Sequence, residues 1–355
     1  MKLKTRLLIL GILLFSFSQI NAQFDFFESK VNIGGYGELH YNYKNHNDDI
    51  TKTLDFHRFV LFFGYSFSEK WTFISEVEIE HNYVKDGQGE LSLEQAYLDY
   101  HFQDYLGFRG GVLLASVGLI NENHEPVLFF GVERPSYNKF IIPTTWFGNG
   151  VSVYGSFSGF DYKFNIMEGL NSDKFSNSEG IRGGRQKGYK SDASEMMYNF
   201  NINYYGFSGL KLGGSVVYND AIGDTSNIPF TLIEVHADYR KNGFVLIGEL
   251  GNISYQNSNL EQSLGYYVDL GYDFSYLFNW EWQTIPFIRY TDYNTAASTV
   301  NGGDELLANH HKAWMVGISI LPLNNVVLKA DYSVDTVELD FDKTDYFNLG
   351  IGYRF

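Results

Sequence analysis

The chain has 355 residues, a formal net charge of −16 and no cysteine. The missing thiols exclude disulfides and a lipid anchor on an N-terminal cysteine, and the acidity excludes the basic footprint that nucleic-acid binding requires. A composition of 31 Phe and 27 Tyr with only 6 Pro, at slightly negative mean hydropathy, fits a protein with an apolar outer face and a polar inner one.

The N-terminus opens with Lys2, Lys4 and Arg6, continues through an apolar run from Leu7 to Phe15, and reaches Ala22 followed by Gln23. That order predicts a secretory signal peptide over 1–22 and a mature domain over 23–355. Its apolar run is too short to cross a bilayer as a helix, which takes about 20 residues. Cleavage takes the formal charge from −16 to −19, because three bases leave and no acid precedes Asp25.

Beyond residue 23 the signal is alternation with period two, the signature of strands whose successive side chains point to opposite faces. Strands are predicted over 31–43, 54–67, 71–82, 90–102, 106–117, 147–157, 160–170 and 194–205. Eight more follow over 208–219, 229–240, 243–255, 264–276, 280–293, 310–322, 325–336 and 345–355. Their connections alternate. Long ones at 44–53, 83–89, 118–146, 171–193, 220–228, 256–263, 294–309 and 337–344 interleave with tight turns such as Ser158-Gly159. Long loops on one rim and short turns on the other predict an all-β transmembrane antiparallel barrel of about 16 strands in a Gram-negative outer membrane. The last strand, with Leu349, Ile351, Tyr353 and Phe355 on one face, resembles the closing strand of such barrels.

Sixteen strands enclose an aqueous channel, whereas eight are filled by side chains. Parity assigns Glu38, Arg58, Glu76, Glu78, Glu80, Lys163, Lys211, Arg289 and Lys329 to its wall. Inward acids outnumber inward bases by roughly two to one, which favours cations weakly. The longest connection, 118–146, carries Val127, Leu128, Phe129, Phe130, Val132, Phe140, Ile141, Ile142 and Trp146. These need a surface to pack on, and the inner wall offers one. The third external loop is therefore expected inside the pore, with Glu122, His124, Glu125, Glu133, Arg134 and Lys139 at the narrowest point. An external cap packed on neighbouring loops is the alternative.

No catalytic constellation emerges. Glu76, Glu78 and Glu80 form a solvated ladder on one face rather than carboxylates in the distinct environments that acid–base work needs. His310 and His311 are adjacent on a strand and point opposite ways, so no metal site and no cofactor are predicted.

Several segments resemble the phosphate-selective porin O and P family: VNIGGYGELHYNY (31–43), FHRFVLFFGYSFSEKWTFISEVEIEH (56–81), LSLEQAYLDYHF (91–102), FRGGVLLASVGLINENHEP (108–126) and GNGVSVYG (148–155). The resemblance implies a trimeric pore with arginines at its constriction, and by position Arg109, Arg134 and Lys139 match them. No lysine ladder comparable to the family's is visible. The expectation is a passive diffusion channel for small hydrophilic solutes or ions. A phosphate- or anion-selective porin and a non-conducting surface barrel stay open as alternatives. Export through the general secretory pathway, the barrel-assembly machinery and the lipid bilayer complete the expected surroundings.

Overall fold

The computed structural model describes residues 30–86 and 88–355; the signal peptide expected at 1–22 lies outside them. Sixteen strands follow in chain order. The first eight are β1 (Lys30–His46), β2 (Asp49–Ser66), β3 (Trp71–Lys85), β4 (Gln88–Gln103), β5 (Leu106–Leu114), β6 (Phe147–Phe157), β7 (Phe160–Glu168) and β8 (Met196–Phe207). The rest are β9 (Leu210–Ile222), β10 (Asn227–Lys241), β11 (Phe244–Tyr255), β12 (Leu260–Tyr272), β13 (Gln283–Thr299), β14 (His310–Leu323), β15 (Val326–Val337) and β16 (Asp342–Arg354). Each pairs antiparallel with its chain neighbours, and β1 pairs with β16, so the sheet closes and leaves no open edge. Two bonds between Gly35 and Phe355, at 3.0 and 2.9 Å, finish that seam.

The alternation places the apolar set outside. Leu61, Phe63, Val77, Val235, Leu246, Leu250, Val268 and Leu270 are all exposed, as side chains bathed in lipid must be. Near the short turns this face becomes aromatic: Trp71 packs on Tyr100 at 4.7 Å, Phe160 on Tyr204 at 4.6 Å and Phe244 on Tyr272 at 4.7 Å. Amphipathic rings at that level form the girdle expected at a membrane interface.

Several connections differ from expectation. The loop expected at 44–53 is mostly strand: β1 and β2 continue to a two-residue turn, Asn47-Asp48, with φ of 50° and 66°. Two consecutive positive φ values are the mark of a type I′ hairpin, which twists with its strands and lets a polar hairpin go on pairing above the bilayer. Conversely, the turn expected at 277–279 widens into a helical turn, Ser275–Phe278. Asp273 Oδ1 fixes it by accepting the backbone N–H groups of Ser275 (3.0 Å) and Thr284 (3.1 Å). Trp280, Glu281 and Trp282 therefore precede β13 and are exposed, so Glu281 is not on the inner wall.

The inner face has two halves. On β8–β13 it carries an apolar patch, with Val217, Phe230, Leu232, Ile247, Ile253, Tyr267 and Phe287 buried against residues of the β5–β6 connection, set among polar groups such as Asn199, Glu234, Glu249 and Asp269. On β1–β4 it is charged and polar. The apolar patch is tolerated because the β5–β6 connection packs on it.

Candidate functional site

The β1–β4 wall is organised around Arg58. Register sets Glu38 opposite Arg58 and Arg58 opposite Glu80, and inward parity brings Glu78 alongside. The guanidinium meets Glu38 at 2.7 Å, Glu78 at 3.1 Å and Glu80 at 4.0 Å. Cross-strand neighbours on one face must meet, so this cluster follows directly from register.

The β5–β6 connection, 115–146, bonds to inward-facing residues of many strands. Asn121 ties its base by donating to the carbonyls of Ala115 (2.7 Å) and Trp146 (3.0 Å), while its Oδ1 accepts the Trp146 N–H (2.7 Å). Further along, the Ser116 N–H donates to Asn199 of β8 at 2.8 Å, and that of Leu119 to Glu249 of β11 at 3.1 Å. Arg289 of β13 donates to the Phe130 carbonyl at 2.9 Å, and the Val132 N–H to Asp331 of β15 at 2.6 Å. Tyr137, Ile141 and Ile142 of the same segment are fully buried in the apolar cluster.

Two cavities flank the segment. The larger, about 770 Å³, is lined by Glu38, His40, Arg58, Glu133, Arg134 and Lys139 together with Arg182, Arg185 and Lys187 of the β7–β8 connection. The smaller, about 470 Å³, is lined by Glu76, Gln95, Glu122, His124 and Glu125.

The residues assigned to one constriction are thus divided. Glu133, Arg134 and Lys139 share the larger cavity, where Glu133 accepts from Asn42 at 3.1 Å and lies 3.0 Å from His40 Nδ1. Glu122 pairs with Lys163 at 2.7 Å and Glu125 with Arg354 at 2.8 Å, both facing the smaller one. Arg109 joins neither. It pairs with Asp99 at 2.8 Å and lies over the rings of Tyr154 and Tyr97, near the short-turn end of β5. Of the remaining wall residues, Arg289 grips Asp269 at 2.6 and 2.8 Å, Lys329 lies over the Phe129 ring at 3.8 Å, and Lys211 lies beside Tyr205.

Arg182 and Arg185 were not selected from sequence. Arg182 donates to the Thr144 carbonyl at 2.9 Å, and Arg185 to that of Pro143 at 3.1 Å and to that of Thr145. Burial and the neighbouring Arg182 pull Arg185 down to about 10, which still leaves it charged at neutral pH. The available signal was compositional: IRGGRQKGYK (181–190) is a basic run in an acidic chain.

A closed sixteen-stranded barrel, apolar outside and charged within, is the architecture of an outer-membrane diffusion channel. The chain belongs to the phosphate-selective porin O and P family, whose model matches residues 31–243. It is an outer-membrane porin, a diffusion channel. A protein of Aquifex aeolicus (strain VF5), described only as uncharacterized, is 32% identical over 352 residues, covering 92% of this chain and 80% of that protein. Among solved structures, an anion-selective porin from Comamonas acidovorans superposes with a TM-score of 0.64 at 12% identity, covering 92% of this chain and 100% of that one. The trimer form of OmpT, an outer-membrane protein of Vibrio cholerae, gives 0.58 at 12% identity, with coverages of 92% and 99%.

Proposed function

We propose that the β5–β6 connection narrows this porin from within and that small hydrophilic anions pass its narrowest part in preference to cations. The observation that carries this reading is a set of four cations in the larger cavity: Arg134, Lys139, Arg182 and Arg185. None has a carboxylate partner among the described residues, and the three arginines donate to backbone carbonyls instead. Several acids of the same cavity have partners: Glu38 and Glu78 share Arg58, Glu90 pairs with Lys187, and Glu133 lies 3.0 Å from His40 Nδ1.

Counting charges on the wall favours cations; counting unpaired charges in the cavity favours anions. Distance decides between them. A unit charge 4 Å from a permeating ion is worth about 4 kcal/mol at an effective dielectric near 20. Charges farther off across a wide lumen are screened over about 8 Å at physiological salt. The near set dominates.

The reading extends to the surroundings. Residues 1–22 direct export and are removed, the barrel-assembly machinery inserts the mature chain into the bilayer, and three copies associate. The trimeric relative supports that last point by analogy of fold. Reversal potentials in planar bilayers under a KCl gradient test the selectivity. The wild type should prefer chloride and Arg134→Ala should prefer it less; cation preference in the wild type overturns the proposal.

A further inference from the structure

Three side chains converge where the β5–β6 connection meets the β3–β4 wall. His124 Nε2 lies 3.4 Å from Glu76 Oε1 and 3.4 Å from Glu94 Oε2. All three residues are at least 97% buried. None of these three atoms has a hydrogen-bond partner among the described residues. A buried polar atom without a partner costs about 1–3 kcal/mol, so three aimed at one point call for a common explanation.

Two neighbouring atoms of the cluster are committed elsewhere, which leaves these three free. His124 Nδ1 donates its proton to the Asn121 carbonyl at 2.9 Å, so in the neutral ring the Nε2 lone pair faces the two carboxylates. A ring nitrogen donating to a backbone carbonyl while the other faces outward is the arrangement that orients metal-ligating histidines. The other oxygen of Glu76 accepts from Gln95 Nε2. Arg134 donates to the His124 carbonyl at 3.2 Å and fixes that backbone from behind.

Backbone geometry points the same way. Glu76 pairs with Gln95 and Val77 with Leu93, so Glu94 is the extra residue of a β-bulge. A bulge re-aims a side chain, and this one turns Glu94 inward beside Glu76 at the cost of a break in the ladder.

An imidazolium bridging two carboxylates is the competing account. Charge-assisted hydrogen bonds of that kind run at about 2.7–2.9 Å, and a single Nε2 proton cannot point at both oxygens. Two ligands bound about 2.0–2.1 Å from a tetrahedral metal lie about 3.4 Å apart. The observed separations match the second case. Two carboxylates and a neutral imidazole also balance a divalent charge, and the smaller cavity, which Glu76 and His124 line, gives access and room for a water as fourth ligand.

We propose that Glu76, Glu94 and His124 form a divalent transition-metal site, of the type that holds Zn²⁺, cross-linking the β5–β6 connection to the β3–β4 wall. The site does not depend on which ions the channel passes, so its failure and that of the selectivity reading are separable.

The test uses the full folded barrel in detergent, stripped with chelator and titrated with Co²⁺ and Zn²⁺. The expected result is a bound Co²⁺ with the intense visible bands of four-coordinate geometry, displaced by Zn²⁺. Glu76→Gln keeps shape and hydrogen bonding to Gln95 while removing the charge; it and His124→Ala should each weaken this binding by more than about 10-fold. His81→Ala, at the separate Asp55–His57–His81 group near the other rim, should leave it intact. Heat-modifiable mobility on gels verifies that each variant is folded. No Co²⁺ bound by the folded wild type, or wild-type affinity retained in both site variants, overturns the proposal.

Discussion

Arg289 bridges the wall and the β5–β6 connection: its guanidinium holds Asp269 at 2.6 and 2.8 Å and donates to the Phe130 carbonyl at 2.9 Å. Arg289 and Asp269 are both buried, and register sets them directly opposite on β13 and β12. Removing one partner of a buried pair leaves an uncompensated charge, a loss of about 3–5 kcal/mol. Arg289→Ala should therefore lower the thermal unfolding midpoint in detergent and make single-channel current noisier as the segment loses its anchor. An unchanged midpoint counts against the bridge.

Asn121 makes a second prediction. Its amide satisfies two carbonyls and one N–H at the base of the β5–β6 connection. Asn121→Ala strands those groups in a fully buried site, at about 1–3 kcal/mol for each left unsatisfied. Asn121→Asp keeps the acceptor for the Trp146 N–H but sets a buried carboxylate against both carbonyl oxygens, so it should destabilise at least as much as alanine. Thermal melts of the three proteins give the order.

Much of the barrel was legible because lipid and lumen enforce a strict parity. On β8, Tyr198 and Phe200 are exposed while Asn199 and Asn201 are buried, as their alternation requires. The segment 118–146 stands out in the sequence through apolar residues with no strand pattern, and Ile141 and Ile142 are buried. What sequence could not convey is which side of that segment each charge faces. Glu125 and Glu133 lie eight positions apart yet line different cavities, because the chain between them crosses the inner wall. Likewise, Arg182 and Arg185 reach the carbonyls of 143–145 only through a tertiary contact between two loops. The pairing of His124 with Glu76 and Glu94 was hidden for the same reason, and further by a bulge that no alternation pattern reveals.

Topology is testable on intact cells. Epitope tags within 175–188 or 297–305 should be reachable by antibody, whereas tags at 241–242 or 323–324 should not. The first pair lies in the β7–β8 connection and across the end of β13 into the β13–β14 connection, and the second at short hairpin turns on the opposite rim. Antibody binding to the second pair on unbroken cells is incompatible with this orientation.

Closure of the barrel makes a further prediction. Phe355 exchanges two backbone bonds with Gly35 and stacks on Phe59 at 6.4 Å. Deleting Phe355 removes the last rung of the seam and an aromatic from the outer face. Less heat-modifiable protein should reach the outer membrane, with the remainder accumulating unfolded. Pulse-labelled fractionation measures this, and wild-type insertion of the deletion would show that the rung is dispensable.

Selectivity should separate two kinds of arginine. Arg109 carries the same charge as Arg182 and Arg185, but it is neutralised by Asp99 at 2.8 Å and lines neither cavity. Arg182 and Arg185 line the larger cavity without a carboxylate partner, their donors satisfied by neutral carbonyls. A cation bonded to carbonyls keeps its full field for a passing ion, whereas one in an ion pair presents mainly a dipole. The double variant Arg182→Gln, Arg185→Gln should therefore lose chloride preference and drift towards the cation preference of the acidic wall, while Arg109→Gln leaves the reversal potential unchanged. The effect of the double variant should shrink at high salt, because screening shortens to about 3 Å at 1 M. Burial lowers the pKa of Arg185 only to about 10, so wild-type selectivity should be flat between neutral pH and pH 8. A reversal potential that shifts in Arg109→Gln but not in the double variant would place the controlling charge near the short-turn rim and remove the basis for the anion reading.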